Sequence, residues 1–154
     1  MFEDDEHARI EKLPIYLKGK EVLEVVYQIT ELISDDDHLR FIKDFIIEDA
    51  LQLTSKVVSA EGGDLYDLRM ENAAMIRNAA QDLIIQSHSL ELFGFEYIEY
   101  YSLVRDLVEE YRLLFLDWVA GFDKWNYMVD RWGLFNPPGV GPFDPDPEGM
   151  DDEC

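Results

Sequence analysis

Histidines and serines are few in this sequence, and their spacing suits neither metal binding nor nucleophilic attack. The histidines are His7, His38 and His88. A di-iron centre in a helical bundle takes a Glu from each of two helices and a Glu-x-x-His pair from each of the other two. No histidine here follows a Glu by three positions, and Asp35-x-x-His38, which has the spacing, falls at a helix start. Met70 and Met75 are the residues on offer to a haem iron, but core packing accounts for both. Ser55, Ser59, Ser87 and Ser89 lack the glycine elbow of a nucleophilic serine. His88 lies between Ser87 and Ser89, yet adjacent side chains on a helix point apart. Gly62-Gly63 has neither the lysine nor the length of a phosphate-binding loop. Asp35, Asp36 and Asp37 lack the spaced ligands and the glycine of a calcium loop, and read as capping residues. Glu48, Asp49, Glu71, Asn72 and Asp82 fall within helical segments, where a face salt-bridged to Arg69 or Arg77, or simply solvated, is expected rather than a shared proton. The reading is a non-enzyme with no catalytic residue, no metal site and no cofactor.

One stretch carries chemistry of another kind. Phe122, Trp125, Tyr127, Trp132 and Phe135 crowd into FDKWNYMVDRWGLFNPPGV, together with Arg131. A segment this short has no means of hiding so many rings by itself. Trp, Tyr and Arg are also the residues favoured at the centres of protein interfaces. Trp125, Tyr127, Arg131, Trp132 and Phe135 are therefore the candidate interface, toward a second copy or another partner. The alternative is that they cap one end of their own bundle.

The elements that position this stretch are helices. Leu39, Ile42, Ile46, Ala50, Leu53, Val57 and Ala60 step by three and four, and so do Ala73, Ile76, Ala80, Leu83, Ser87 and Leu90. Each set draws one apolar stripe along a long helix, which only other helices can bury. Gly62-Gly63-Asp64 breaks the two, with a glycine expected in the left-handed conformation and Asp64 expected to cap the next helix. Val22, Val26, Ile29 and Ile33 mark an earlier helix after Pro14. Tyr97, Tyr101, Val104, Val108, Tyr111, Phe115 and Trp118 mark a later one that ends at Gly121. Short loops between consecutive helices predict an all-α fold, an antiparallel up-down-up-down four-helix bundle. A short helix from Lys124 to about Trp132 and an irregular extension follow it. Residues 1–12 read as a disordered acidic arm, 13–143 as the bundle with its aromatic extension, and 144–154 as a disordered acidic tail.

The formal net charge is −21, from 13 basic and 34 acidic residues. Apolar residues make up 47% of the chain, enough for a sizeable core. No apolar run approaches the roughly 20 residues of a membrane span, and the acidic N-terminus lacks the apolar region of a secretory signal. The single cysteine, Cys154, forms no intrachain disulfide; an exposed thiol is expected, with an intermolecular bond as its alternative. The expected compartment is the cytoplasm.

The order LPIY at Leu13–Tyr16, EDALQLTSKVVSAEG at Glu48–Gly62, then Leu92-Phe93-Gly94-Phe95 and an aromatic last helix resembles the four-helix-bundle family of 23S ribosomal RNA intervening-sequence proteins. That family includes the accessory variability determinant (Avd) protein of diversity-generating retroelements. The likeness spans about residues 13–121 and includes a phrase of the type S-x-x-x-A-E-G, met here by Ser55, Ala60, Glu61 and Gly62 with one extra spacer. The resemblance implies a non-enzymatic bundle that assembles as a ring. In the retroelement branch it also implies a basic, nucleic-acid-binding surface that serves a reverse transcriptase. The charge of this chain points the other way, because phosphate binding needs clustered Lys and Arg. Lys12, Lys18 and Lys20 are the only such cluster, and Glu11 and Glu21 flank it.

Three functions are thus expected in order. The first is an oligomeric helical scaffold or accessory protein. The second is an acidic protein that binds a basic partner or mimics nucleic acid. The third, by resemblance alone, is a nucleic-acid-binding accessory of a reverse transcriptase.

Overall fold

A computed structural model describes residues 2–147, and these are all-helical, with no strand among them. The elements are α1 (Phe2–Glu11), α2 (Pro14–Thr30), α3 (Arg40–Glu61), α4 (Tyr66–Leu92), a 3-10 turn (Ile98–Tyr101) and α5 (Ser102–Ala120). Among the described residues no helix is long and apolar enough to cross a membrane. Contacts run α2 to α3, α3 to α4, α4 to α5 and α5 back to α2, so these four enclose one core, while α1 lies against α2 and α3.

The apolar stripes are what the core consists of. Every residue of the Leu39-to-Ala60 stripe is buried, as are Val22, Val26 and Ile29 of α2 and Ile33 just beyond it. Val26, Ile46, Leu53, Leu83 and Val104 are entirely inaccessible. On α4 the buried alanines are Ala73 and Ala79, with Ala80 half-buried. Two tyrosines of the last helical segment reach into this core with their hydroxyls satisfied. Tyr111 donates to the Leu53 carbonyl at 2.8 Å, and Tyr101 donates to the Leu83 carbonyl. Burial pushes both phenols far above their ordinary range. Gly19 sets how closely α2 approaches α3: a Cβ there would stand 2.9 Å from the Leu53 carbonyl oxygen and 3.0 Å from Thr54 Cγ2.

Five local expectations are corrected. Residues 1–12 are expected as a disordered arm, but Phe2–Glu11 is helical. Ile10 is buried in the core and Arg9 pairs with Glu61 at 3.1 Å, which ties the segment down. Gly62 closes α3 with right-handed backbone, φ −70°, and neither it nor Gly63 is left-handed; among the described residues Gly94, Gly133 and Gly139 have positive φ. Asp64 does not cap α4. The first amide of α4, that of Tyr66, instead donates to the Asn126 carbonyl at 2.7 Å, so the C-terminal extension closes that helix.

The short helix expected at Lys124–Trp132 is absent, because side chains claim the amides that a helix would need. Trp125 N–H goes to Asp123, Met128 N–H to Asp67, Val129 N–H to Asp146 and Asp130 N–H to Asn136. For the same reason the expected disordered tail does not begin at residue 144. Asp144 accepts from Gly141 N–H at 2.7 Å and Asp146 from Val129 N–H at 2.8 Å. Residues 148–154, including Cys154, lie outside the described residues.

Candidate interaction surface

The extension, residues 122–147, folds back over the start of α4 and is held by Asp and Asn side chains. Asp130 is its hub. One carboxylate oxygen accepts from Trp132 N–H at 3.0 Å; the other accepts from Leu134 and Phe135 N–H at 3.0 and 2.9 Å. These backbone bonds, the one from Phe135 foremost, hold the Asp130 carboxyl below its ordinary range, so it stays ionised. Asn136 closes the turn, accepting from Asp130 N–H and donating to the Asp130 carbonyl. Gly133, at φ +74°, supplies the left-handed residue on which the chain reverses. Arg131 then spans the loop, donating to the carbonyls of Pro142 and Asp144 at 3.1 and 2.7 Å and facing Asp146 at 3.7 Å.

Two anchors fix this loop to the bundle. Asn126 donates to the Asp64 carbonyl and carboxylate, while Met128 N–H donates to Asp67. Beneath them Phe122 packs with Tyr66 and Ala73 in a small second core, against which Met70 and Tyr127 also lie. Trp118 meets the Phe122 ring edge-on, with centroids 4.9 Å apart, and the Arg69 guanidinium stands 5.4 Å from the same ring. Glu61 ties these parts together. It is buried, accepts from Trp118 Nε1 at 2.8 Å and pairs with Arg9 and, at 3.7 Å, with Arg69.

Four large apolar side chains of this well-bonded loop face solvent. Trp132 is 89% exposed, Leu134 73%, Trp125 70% and Phe143 97%. Of the five residues that the sequence singles out, Trp125 and Trp132 are thus free for a partner. Tyr127 packs on the second core, Arg131 is occupied in bracing the loop, and Phe135 is half-buried. Phe135 and Trp132 both line a groove of about 550 Å³ between α4 and the loop, which Asp67, Leu68, Glu71, Asp130 and Leu134 also line. Trp125 and Phe143 stand outside it. Sequence reading misses Leu68, Leu134, Phe143 and the hub Asp130. The signal for the hub is an Asp followed by a glycine three positions on and an asparagine six positions on, the chemistry of a turn that bonds its own backbone.

The residues examined for catalysis are dispersed. Among the described residues no group of three or more His, Cys, Asp or Glu is arranged to hold a metal. His38 bonds the Phe93 carbonyl and Asp37 on the surface, His7 pairs with Glu11, and Ser59 and Ser87 bond carbonyls of their own helices. In the acidic triplet, Asp37 accepts from Leu39 N–H at 2.9 Å just ahead of α3. Among these residues Asp49 stands out electrostatically. Partial burial, then the nearby charges of Asp82 and Glu48, push its carboxyl up to about 6. No cation offsets these effects. Comparison with known proteins returns no match: no family model, no curated protein and no solved structure is found to be similar to the chain.

Proposed function

We propose that the chain is a non-enzymatic accessory protein of the cytoplasm, a helical scaffold that presents the residue 122–147 extension as a protein-interaction surface and assembles as a homo-oligomer. The observation that carries this is the inverted economy of the extension. Its polar side chains are spent on fixing its own backbone, and Trp125, Trp132, Leu134 and Phe143 are left in water. Pre-ordered loops with exposed aromatic anchors lose little entropy on binding.

The scaffold itself is read as an antiparallel up-down-up-down four-helix bundle of α2 to α5, in keeping with the resemblance to the Avd-like bundles. Several contacts support that course. Lys43 at the start of α3 reaches the Ile33 carbonyl just beyond α2, while Gly19 early in α2 lies against Leu53 late in α3. Glu61 at the end of α3 faces Arg69 early in α4, and Leu83 late in α4 meets Tyr101 just ahead of α5.

Self-association is assigned to the rings outside the groove, Trp125 and Phe143. Light scattering at tens of micromolar protein in physiological salt is expected to give a mass above that of one chain, and Trp125→Ala with Phe143→Ala to lower it. A monomeric wild-type chain ends the oligomer reading. The nucleic-acid role that the resemblance implies is not adopted. With 13 basic against 34 acidic residues, no retardation of duplex DNA or RNA is expected at physiological salt. Salt-sensitive binding in that assay would restore the role.

A further inference from the structure

We infer that the groove between α4 and the extension is a docking site for a cationic segment of a partner protein, one that inserts an apolar side chain and brings Lys or Arg to the rim. This rests on reading the extension as an interaction surface, but not on self-association. The groove has the mixed chemistry that such a segment matches. Its apolar part is Leu68, half exposed, with Leu134 at 73% and Trp132 at 89%, and the half-buried Phe135 beside them. Its charged part is Asp67, Glu71 and Asp130, against Arg131 alone. Arg131 does not cancel them, because its guanidinium is turned into the loop toward Pro142, Asp144 and Asp146.

The three carboxylates differ in use. Asp130 and Asp67 each accept backbone amides, of Trp132, Leu134 and Phe135 in one case and of Met128 in the other, and so are fixed in place. Glu71 is exposed and has no hydrogen bond or ion pair to another described residue. It is the carboxylate free to meet an incoming cation. The volume, about 550 Å³, lies in the range of roughly 300–1,000 Å³ typical of ligand clefts, which is room for a few side chains of a partner segment.

Charge decides between the possible occupants. The whole chain carries −21, so a second copy brings like charge to an acidic rim, and nucleic acid brings phosphates to it. A basic segment is drawn in by the same field, faster at low salt. The apolar part then makes the binding more than counterion exchange, since a desolvated Trp is the commonest kind of interface anchor.

The probe is a short amidated amphipathic peptide of leucine and lysine, compared with poly-lysine of the same length and with the peptide whose lysines are replaced by glutamate. The chain has 3 tryptophans, Trp118, Trp125 and Trp132, so their indole N–H signals in a nitrogen–proton correlation spectrum report the site separately. The leucine–lysine peptide is expected to shift the Trp132 signal and leave that of Trp125 in place. Poly-lysine is expected to bind more weakly, and the glutamate peptide not at all. Trp132→Ala is expected to weaken binding by about fivefold or more, and Glu71→Gln by about twofold. Both side chains are exposed, so neither change threatens the fold. Equal affinity of the wild type and Trp132→Ala, or a shift at Trp125 in place of Trp132, overturns the proposal as mere attraction to an acidic surface. A Trp132 signal that moves with protein concentration alone also overturns it, by naming a second copy as the occupant, and leaves the interaction reading standing.

Discussion

The bundle and its extension solve the folding problem in opposite ways. In the bundle, apolar side chains hold the chain together: Leu53, Ile46 and Val26 are fully inaccessible, and Glu61 is the one buried carboxylate among the described residues. In the extension, carboxylates hold the chain together: Asp130, Asp144 and Asp146 each accept backbone amides, and the largest apolar side chains lie outside. The first arrangement gains from burial and is non-directional. The second gains from charge-assisted hydrogen bonds, which are directional and fix a shape without enclosing a core. A region folded by its polar groups has its apolar groups free for something else.

The contrast breaks first, and with the largest effect, at the centre of the bundle. Leu53→Asp puts a carboxylate at a fully buried position inside the apolar core, and the chain is expected to unfold, a loss above about 4 kcal/mol. A folded, helical Leu53→Asp by circular dichroism would mean that the core is not where it is described. Gly19→Ala comes next. Alanine gains about 1 kcal/mol of helix propensity. The added Cβ, however, meets a backbone oxygen of α3 at 2.9 Å, which cannot rotate away. Moving two packed helices apart costs about 1–3 kcal/mol, so a net loss in urea midpoint is expected, where propensity alone predicts a gain.

Asp49→Asn tests the carboxylates outside the core. Its carboxyl is raised from 3.8 to about 6 by partial burial and by the charges of Asp82 and Glu48. The native state therefore binds this proton more tightly than the unfolded chain does. Stability falls as pH rises from about 3.8 to about 6, and the penalty stays in full above that. Asparagine removes it, so a gain of about 1 kcal/mol, discounted for the solvent that reaches the group, is expected at pH 7.5 and none at pH 4. The same gain at both values would assign the effect to packing.

The two regions were also unequally legible. Helical stripes are local, since a residue's burial follows from its neighbours three and four positions away, and the Leu39-to-Ala60 stripe is buried throughout. The extension is not local in that sense. Val129 is held by Asp146, Met128 by Asp67, and the first turn of α4 by Asn126. No periodicity announces such pairs, and so the run KWNYMVDRW reads as a helix when counted alone. Proline and acidic residues near the end read as a disordered tail for the same reason, because their composition does not reveal that Arg131 and Val129 bond them. The aromatic cluster was visible as a composition. Which of its rings face solvent depended on that hidden hydrogen bonding, and it divides Trp125 and Trp132 from Tyr127 and Phe135.

The smallest effect is the most informative about the extension. Truncating a fully buried large side chain to alanine costs about 2–5 kcal/mol, because burial is lost and a cavity remains. Trp132 is 89% exposed, so Trp132→Ala removes almost no buried area, and its effect on the thermal midpoint is expected to fall within about 0.5 kcal/mol. The backbone of the loop should be equally indifferent, since Asp130 grips the amides of Trp132, Leu134 and Phe135 and not their side chains. Asp130→Ala is the opposite case. It strips the acceptor from three amides while leaving every ring in place, and protease cutting after Arg131 is expected to accelerate with the bundle still folded. If Trp132→Ala instead costs as much as a core truncation, the ring is buried in solution, and its cover is either the loop itself or another chain. Repeating the melt at a hundredfold lower protein concentration separates the two, because only cover by another chain is lost on dilution.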